Sequence, residues 1–167
     1  VCCERVVVKC CVGNMNRKST TKRVLIVEPH TRGHHGPYLQ WMAEGLVERG
    51  FKITLRTLPE SMNHPSLQYI ADSFPESVDI ISSDFKDHVN RYTGGTTYLA
   101  KREFAYWRLF RKWYRQDRVT GKGADFVFLP YLDHCLYAIG LLGSPFGKTP
   151  WIGIAMRPSF HYDEMGI

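Results

Sequence analysis

Val24-Leu25-Ile26-Val27-Glu28-Pro29-His30-Thr31-Arg32-Gly33-His34-His35-Gly36-Pro37 is the stretch on which the fold turns. It opens with a continuous run of apolar β-formers, the pattern of a strand buried on both faces, so residues 24–28 are read as the first strand. Gly36 and Pro37 suit the N-cap and first turn of a helix over residues 37–49. Leu39, Met42, Ala43 and Leu46 supply its apolar stripe and Gly50 its stop. Residues 51–58 follow as a second strand, with Ile53 and Leu55 alternating against Lys52, Thr54 and Arg56. Further out, strands are expected at 78–82, 126–130 and 151–155, a long helix at 99–118 and a shorter one at 133–142. Strand and helix alternate, which predicts an α/β domain with a doubly wound parallel sheet.

The chain has 167 residues, 44% hydrophobic and 23% charged, enough for one core and too few for two. No apolar run approaches the roughly 20 residues of a spanning helix. The net charge of +6 is unevenly placed: residues 1–22 carry five basic and one acidic side chain, residues 99–123 eight and two, and the rest nine and thirteen. The body is therefore mildly acidic, which argues against a nucleic-acid partner. Cys2, Cys3, Cys10 and Cys11 form a CC-x6-CC pattern that fits neither zinc-finger spacing nor a secreted disulfide framework. Cys135, the one cysteine in the body, reads as a small core residue, and the composition predicts a reducing, cytoplasmic setting. Met15 reads as a natural start, so residues 1–14 are expected not to be native. Residues 1–22 are then a basic tail and residues 23–167 the domain.

In doubly wound sheets ligands bind beyond the carboxyl ends of the strands. The loops expected there, 29–36, 131–134 and 156–161, all carry histidine. Gly33 and Gly36 allow tight turning, and amide groups opening the next helix attract anions. The loop lacks the G-x-G-x-x-G dinucleotide fingerprint, and the second strand ends Thr57-Leu58-Pro59 with no acidic residue, which disfavours a nicotinamide cofactor. Gly143-Ser144-Pro145-Phe146-Gly147-Lys148-Thr149 is one residue short of a P-loop and precedes a strand where a P-loop precedes a helix. Arg157 is a candidate phosphate contact. Asp133 and His134 suit either a site or the cap of the helix they open.

Residues 24–54, with Pro29, Gly33, His34 and Pro37 in P-x3-G-H-x2-P spacing and Gly45-Leu46-Val47-Glu48-Arg49-Gly50 closing the helix, resemble the opening of GT-B-fold glycosyltransferases. A second similarity lies at Gly123-Ala124-Asp125-Phe126-Val127-Phe128-Leu129. The resemblance implies a Rossmann-like sheet, the N-terminal acceptor-side half of a GT-B fold, with the donor-binding half expected beyond this chain. It implies sugar transfer, of hexosyltransferase type, from a nucleotide donor such as a UDP- or GDP-sugar to a hydroxyl acceptor. No cofactor and no metal ion is expected in the chemistry, and the isolated chain is expected to be inactive. In the inverting branch His34 matches the general base and Asp133 the aspartate that orients it. In the retaining branch His35 and His134 matter more, with Gly33 and Gly36 shaping the loop, and the two branches stay open.

Residues 99–118 combine six aromatic with seven basic side chains. Leu99, Tyr106, Leu109, Phe110 and Trp113 make a core-facing stripe, with Arg108, Arg111, Lys112 and Arg115 outward. The bland reading is a surface helix covering the sheet. The functional one is a peripheral contact with an anionic membrane surface, favoured by Trp107 and Phe104 off the stripe. Two further readings stand beside sugar transfer: a nucleotide-sugar epimerase of the same architecture, and a non-catalytic α/β module attached to membranes.

Overall fold

In a computed structural model the described part of the chain is residues 21–84 and 96–155, with residues 96–99 described by backbone alone. The four tandem cysteines, Arg157 and the loop at 156–161 lie outside the described residues, as does the side chain of Leu99. Strand β1 is Arg23–Val27, followed by helix α1 at His35–Val47 and β2 at Lys52–Thr57. Then come α2 at Pro65–Ser73, β3 at Val78–Ser82, α3 at Thr96–Val119, β4 at Phe126–Leu129, α4 at Leu136–Leu142 and β5 at Trp151–Gly153. All strand pairings are parallel, in the order β3-β2-β1-β4-β5. This is the doubly wound, Rossmann-like α/β sheet expected.

The alternation of side chains along β1 divides the molecule into its layers. Val24 and Ile26 pack with Leu39, Ala43, Leu67 and Ile70, beneath α1 and α2. Leu25 and Val27 pack with Phe110, Trp113, Cys135 and Phe146, on the face covered by α3 and α4. Phe110, Trp113 and Phe146 are fully buried, and burying each such side chain stabilises by about 1.5–3 kcal/mol. β1 pairs with β2 on one side and β4 on the other, so the winding reverses between β1 and β4.

Several elements depart from their expected form. Helix α1 starts two residues early, with His34 at its N-cap, so Gly36 and Pro37 lie inside its first turn. Helix α2 was not expected. It opens on Pro65, and the His64 ring caps it by accepting from the Ser66 amide at 3.2 Å. The helix expected at 133–142 is a 3-10 turn, Leu132–His134, broken from α4 at Cys135. The polar side of β2 is buried as well: Arg56 donates through Nε to both carboxylate oxygens of Asp117 on α3, at 3.1 and 3.2 Å.

The core stripe of α3 is wider than expected. Leu109, Phe110 and Trp113 are buried, and so are Trp107, only 8% exposed, and Tyr114, while Phe104 packs against the same cluster. Trp107 donates through Nε1 to the Gly143 carbonyl at 2.9 Å, and Glu103 accepts from the Ala138 amide at 3.0 Å. Helix α3 thus holds both ends of α4. Trp107 and Phe104, the aromatics that favoured a membrane-facing surface, turn to the core: Trp107 is held at the end of α4, and Phe104 packs half-buried against the same cluster. Arg111, Arg115 and Arg118 line a groove against Ser144, Pro145 and Gly147. Among the described residues no helix is long and apolar enough to cross a membrane.

Candidate functional site

A charged residue follows directly on strand β1. Glu28 is 1% exposed, and its amide donates to the Arg56 carbonyl at 3.0 Å, so the backbone is still held in the sheet while the carboxylate turns into the interior. The loop beyond is anchored through the Pro29 carbonyl, which accepts from Ser61 Oγ at 3.0 Å, Thr57 Oγ1 at 3.3 Å and the Leu58 amide at 3.3 Å. His30 donates its amide to Glu28 Oε1 at 3.2 Å, and its Nε2 lies 2.6 Å from Tyr106 Oη on α3. Gly33 then adopts φ +63°, a left-handed turn that suits glycine, and brings the chain into α1.

The first turn of α1 returns towards the carboxylate. His35 Nδ1 lies 3.3 Å from Glu28 Oε1, and from the 3-10 turn after β4 His134 Nε2 lies 3.9 Å from the same oxygen. The rings form a layered group. His35 stacks on His134 with centroids 5.9 Å apart, His134 stacks on Tyr106 at 4.8 Å, and Tyr131 sits 4.3 Å from His35. His34 stacks outside His35 at 4.9 Å and is exposed, with Tyr38 and Trp41 continuing the aromatic surface along α1.

Burial sets the electrostatics. Desolvation pushes the Glu28 carboxyl up, an effect opposed by the hydrogen bond and charge of His35 and by the His30 amide. Desolvation pushes His134 down to about 3, with further lowering from His30, His35 and Arg102, so this imidazole is neutral at ordinary pH. Its buried Nε2 has no hydrogen-bond partner among the described residues. Glu28, His35 and His134 each offer a ligand atom, all within 4.8 Å of one another.

The expected residues fall into two groups. Gly33, His34, His35 and His134 meet at the carboxyl end of the sheet, where the winding reverses. Gly36 is buried under α2: a Cβ there would lie 2.2 Å from His64 Cε1, so its missing side chain lets the two helices approach. Asp133 is half-buried on the turn beside His134, while the carboxylate bonded to His35 is Glu28. Glu28, His30, Tyr106 and Tyr131 were not expected. For Glu28 the available signal was a charge closing an otherwise apolar buried strand, while His30 and Tyr131 lay in the expected ligand loops without being singled out. Cys135 is buried as expected, and desolvation pushes its thiol up, with Glu103 adding to the effect.

No family model matches the chain, and no curated protein does. Among solved structures it is similar to the glycotransferase of kitacinnamycin, at 18% identity and a TM-score of 0.49, over 89% of this chain and 35% of that one. It is also similar to the bulky-bulky ketone specific alcohol dehydrogenase from Comamonas testosteroni, at 13% identity and a TM-score of 0.38, over 78% of this chain and 64% of that one. The chain spans less than two thirds of the length of either.

Proposed function

We propose that this chain is the N-terminal, acceptor-side domain of a GT-B-fold glycosyltransferase that moves a sugar from a nucleotide donor to a hydroxyl acceptor. The observation that carries the reading is the carboxylate–imidazole pair of Glu28 and His35, at 3.3 Å, on the loop whose sequence resembles that family. An Nδ1–H donated to a buried carboxylate fixes the tautomer and leaves Nε2 as the basic nitrogen, the arrangement a general base requires. In this reading the base expected at His34 moves one residue on, to His35, and Glu28 takes the orienting role expected of Asp133. His34, exposed and stacked in front, contacts the acceptor or the donor phosphate. The amide groups opening α1 favour an anion at the same mouth.

Sugar transfer by the full-length enzyme tests this. Replacing both imidazoles, His34→Ala with His35→Ala, is expected to lower turnover by about 10²–10⁴-fold, the usual contribution of a positioned acid–base group. Unchanged turnover overturns the reading. Release of free nucleoside diphosphate together with an epimerised sugar, and no transfer to any acceptor, would instead favour an epimerase of the same architecture.

A further inference from the structure

We propose that Glu28, His35 and His134 form a binding site for one divalent transition-metal ion of the zinc type. The inference does not rest on sugar transfer, since it concerns what these three groups bind, whatever reaction the domain serves. In tetrahedral zinc sites, bond lengths of about 2.0–2.2 Å to nitrogen and oxygen place neighbouring ligand atoms about 3.4 Å apart. Glu28 Oε1 stands 3.3 Å from His35 Nδ1 and 3.9 Å from His134 Nε2, and no pair of the three ligand atoms exceeds 4.8 Å. Small side-chain rotations close such a triangle around an ion, and the three residues stand on separately anchored segments: the residue following β1, the first turn of α1 and the 3-10 turn after β4.

Two further observations point the same way. The buried Nε2 of His134 has no hydrogen-bond partner among the described residues, and a buried polar atom left so costs about 1–3 kcal/mol unless something fills the role. The Glu28 carboxylate is buried, and its oxygen is oriented by the His30 amide at 3.2 Å, the kind of outer hydrogen bond that fixes metal ligands.

Two imidazoles with one carboxylate select zinc, cobalt or iron(II) over magnesium or calcium, which prefer all-oxygen sets. Three protein ligands also leave a coordination position for water or a ligand. Ion and proton compete for the same Nδ1 lone pair, so the metal-loaded site and the Glu28–His35 base pair are alternative states.

The test is a titration of the chelator-stripped full chain with Co²⁺ as optical probe and Zn²⁺ as competitor. Cys2, Cys3, Cys10 and Cys11 are changed to Ser so that tail thiolates do not bind. One equivalent of Co²⁺ is expected to give visible ligand-field absorption that Zn²⁺ abolishes. Glu28→Gln and His134→Gln are each expected to weaken binding by at least about tenfold. His64→Gln, which removes an imidazole outside the cluster, should leave it unchanged. No saturable binding, or equal binding in Glu28→Gln and His134→Gln, overturns the proposal. Should either variant lose its far-UV circular dichroism, the unmutated ligands decide by imidazole NMR: resonances of His35 and His134 that do not move with Zn²⁺ overturn it equally.

Discussion

His134 shows what burial does to a single imidazole. Its pKa falls from 6.5 to about 3, so between those values the unfolded chain binds a proton that the folded one refuses. Its contribution to stability is therefore present above pH 6.5 and is lost as pH falls towards 3. Glu28, pushed up, acts in the opposite sense, since its folded form takes a proton at higher pH than the unfolded chain. The groups facing His134 are Glu28, His30, His35, Arg102, Tyr106 and Tyr131. Urea unfolding with chelator present, so that no ion competes with the proton, should show stability falling less steeply between pH 6.5 and 3 in His134→Gln than in the unmodified chain. Equal slopes would count against this account. His34, His35 and Gly33 were legible because a Gly-His doublet after an apolar strand is a local pattern. Glu28 was hidden in plain view as the last residue of the expected first strand, and Tyr106 as a stripe residue, because local pattern does not report which distant chain segments converge.

Helix α4, seven residues long, is too short to hold itself in water, and the contacts from α3 explain its stability. Glu103 accepts from the Ala138 amide near its start, and Trp107 donates to the Gly143 carbonyl at its end. Glu103→Ala leaves that amide buried without an acceptor and is expected to cost about 1–3 kcal/mol, read as a lowered urea midpoint with unchanged slope. Trp107→Phe keeps most of the apolar contact but releases the carbonyl, and should raise amide hydrogen exchange at the end of α4 ahead of the other helices. Both contacts lie across the helix–helix interface, which is why periodicity placed Trp107 off the core: a stripe drawn on one helix does not know that a second helix widens it. Helix α2 escaped notice for the opposite reason. Pro65 is an ordinary first-turn residue, but the helix cap is a histidine, unlike the Ser, Thr, Asp or Asn that usually announce a helix.

Across the whole molecule, the sheet was legible as parallel and doubly wound because apolar strands alternate with helices. The buried charge joining its layers was not. Arg56 on β2 and Asp117 on α3 are 61 residues apart and bond where both are shielded from water. Asp117→Ala strands a buried guanidinium and should cost about 3–5 kcal/mol, whereas the double replacement Arg56→Met with Asp117→Leu should come much closer to the parent stability. Thermal unfolding of the two variants measures the difference, and equal losses would count against it. The pairing of β1 with β4 has a consequence of a different kind. It joins residues 102 apart in the chain, Val24 to Phe126, and it is this pairing that carries the 3-10 turn of His134 up to Glu28 and His35. Loop closure over so long a span is among the slow steps by which a chain finds its topology. Glu28 and His35, seven residues apart, can meet locally, but the cluster is complete only once this long-range pairing brings His134 to them.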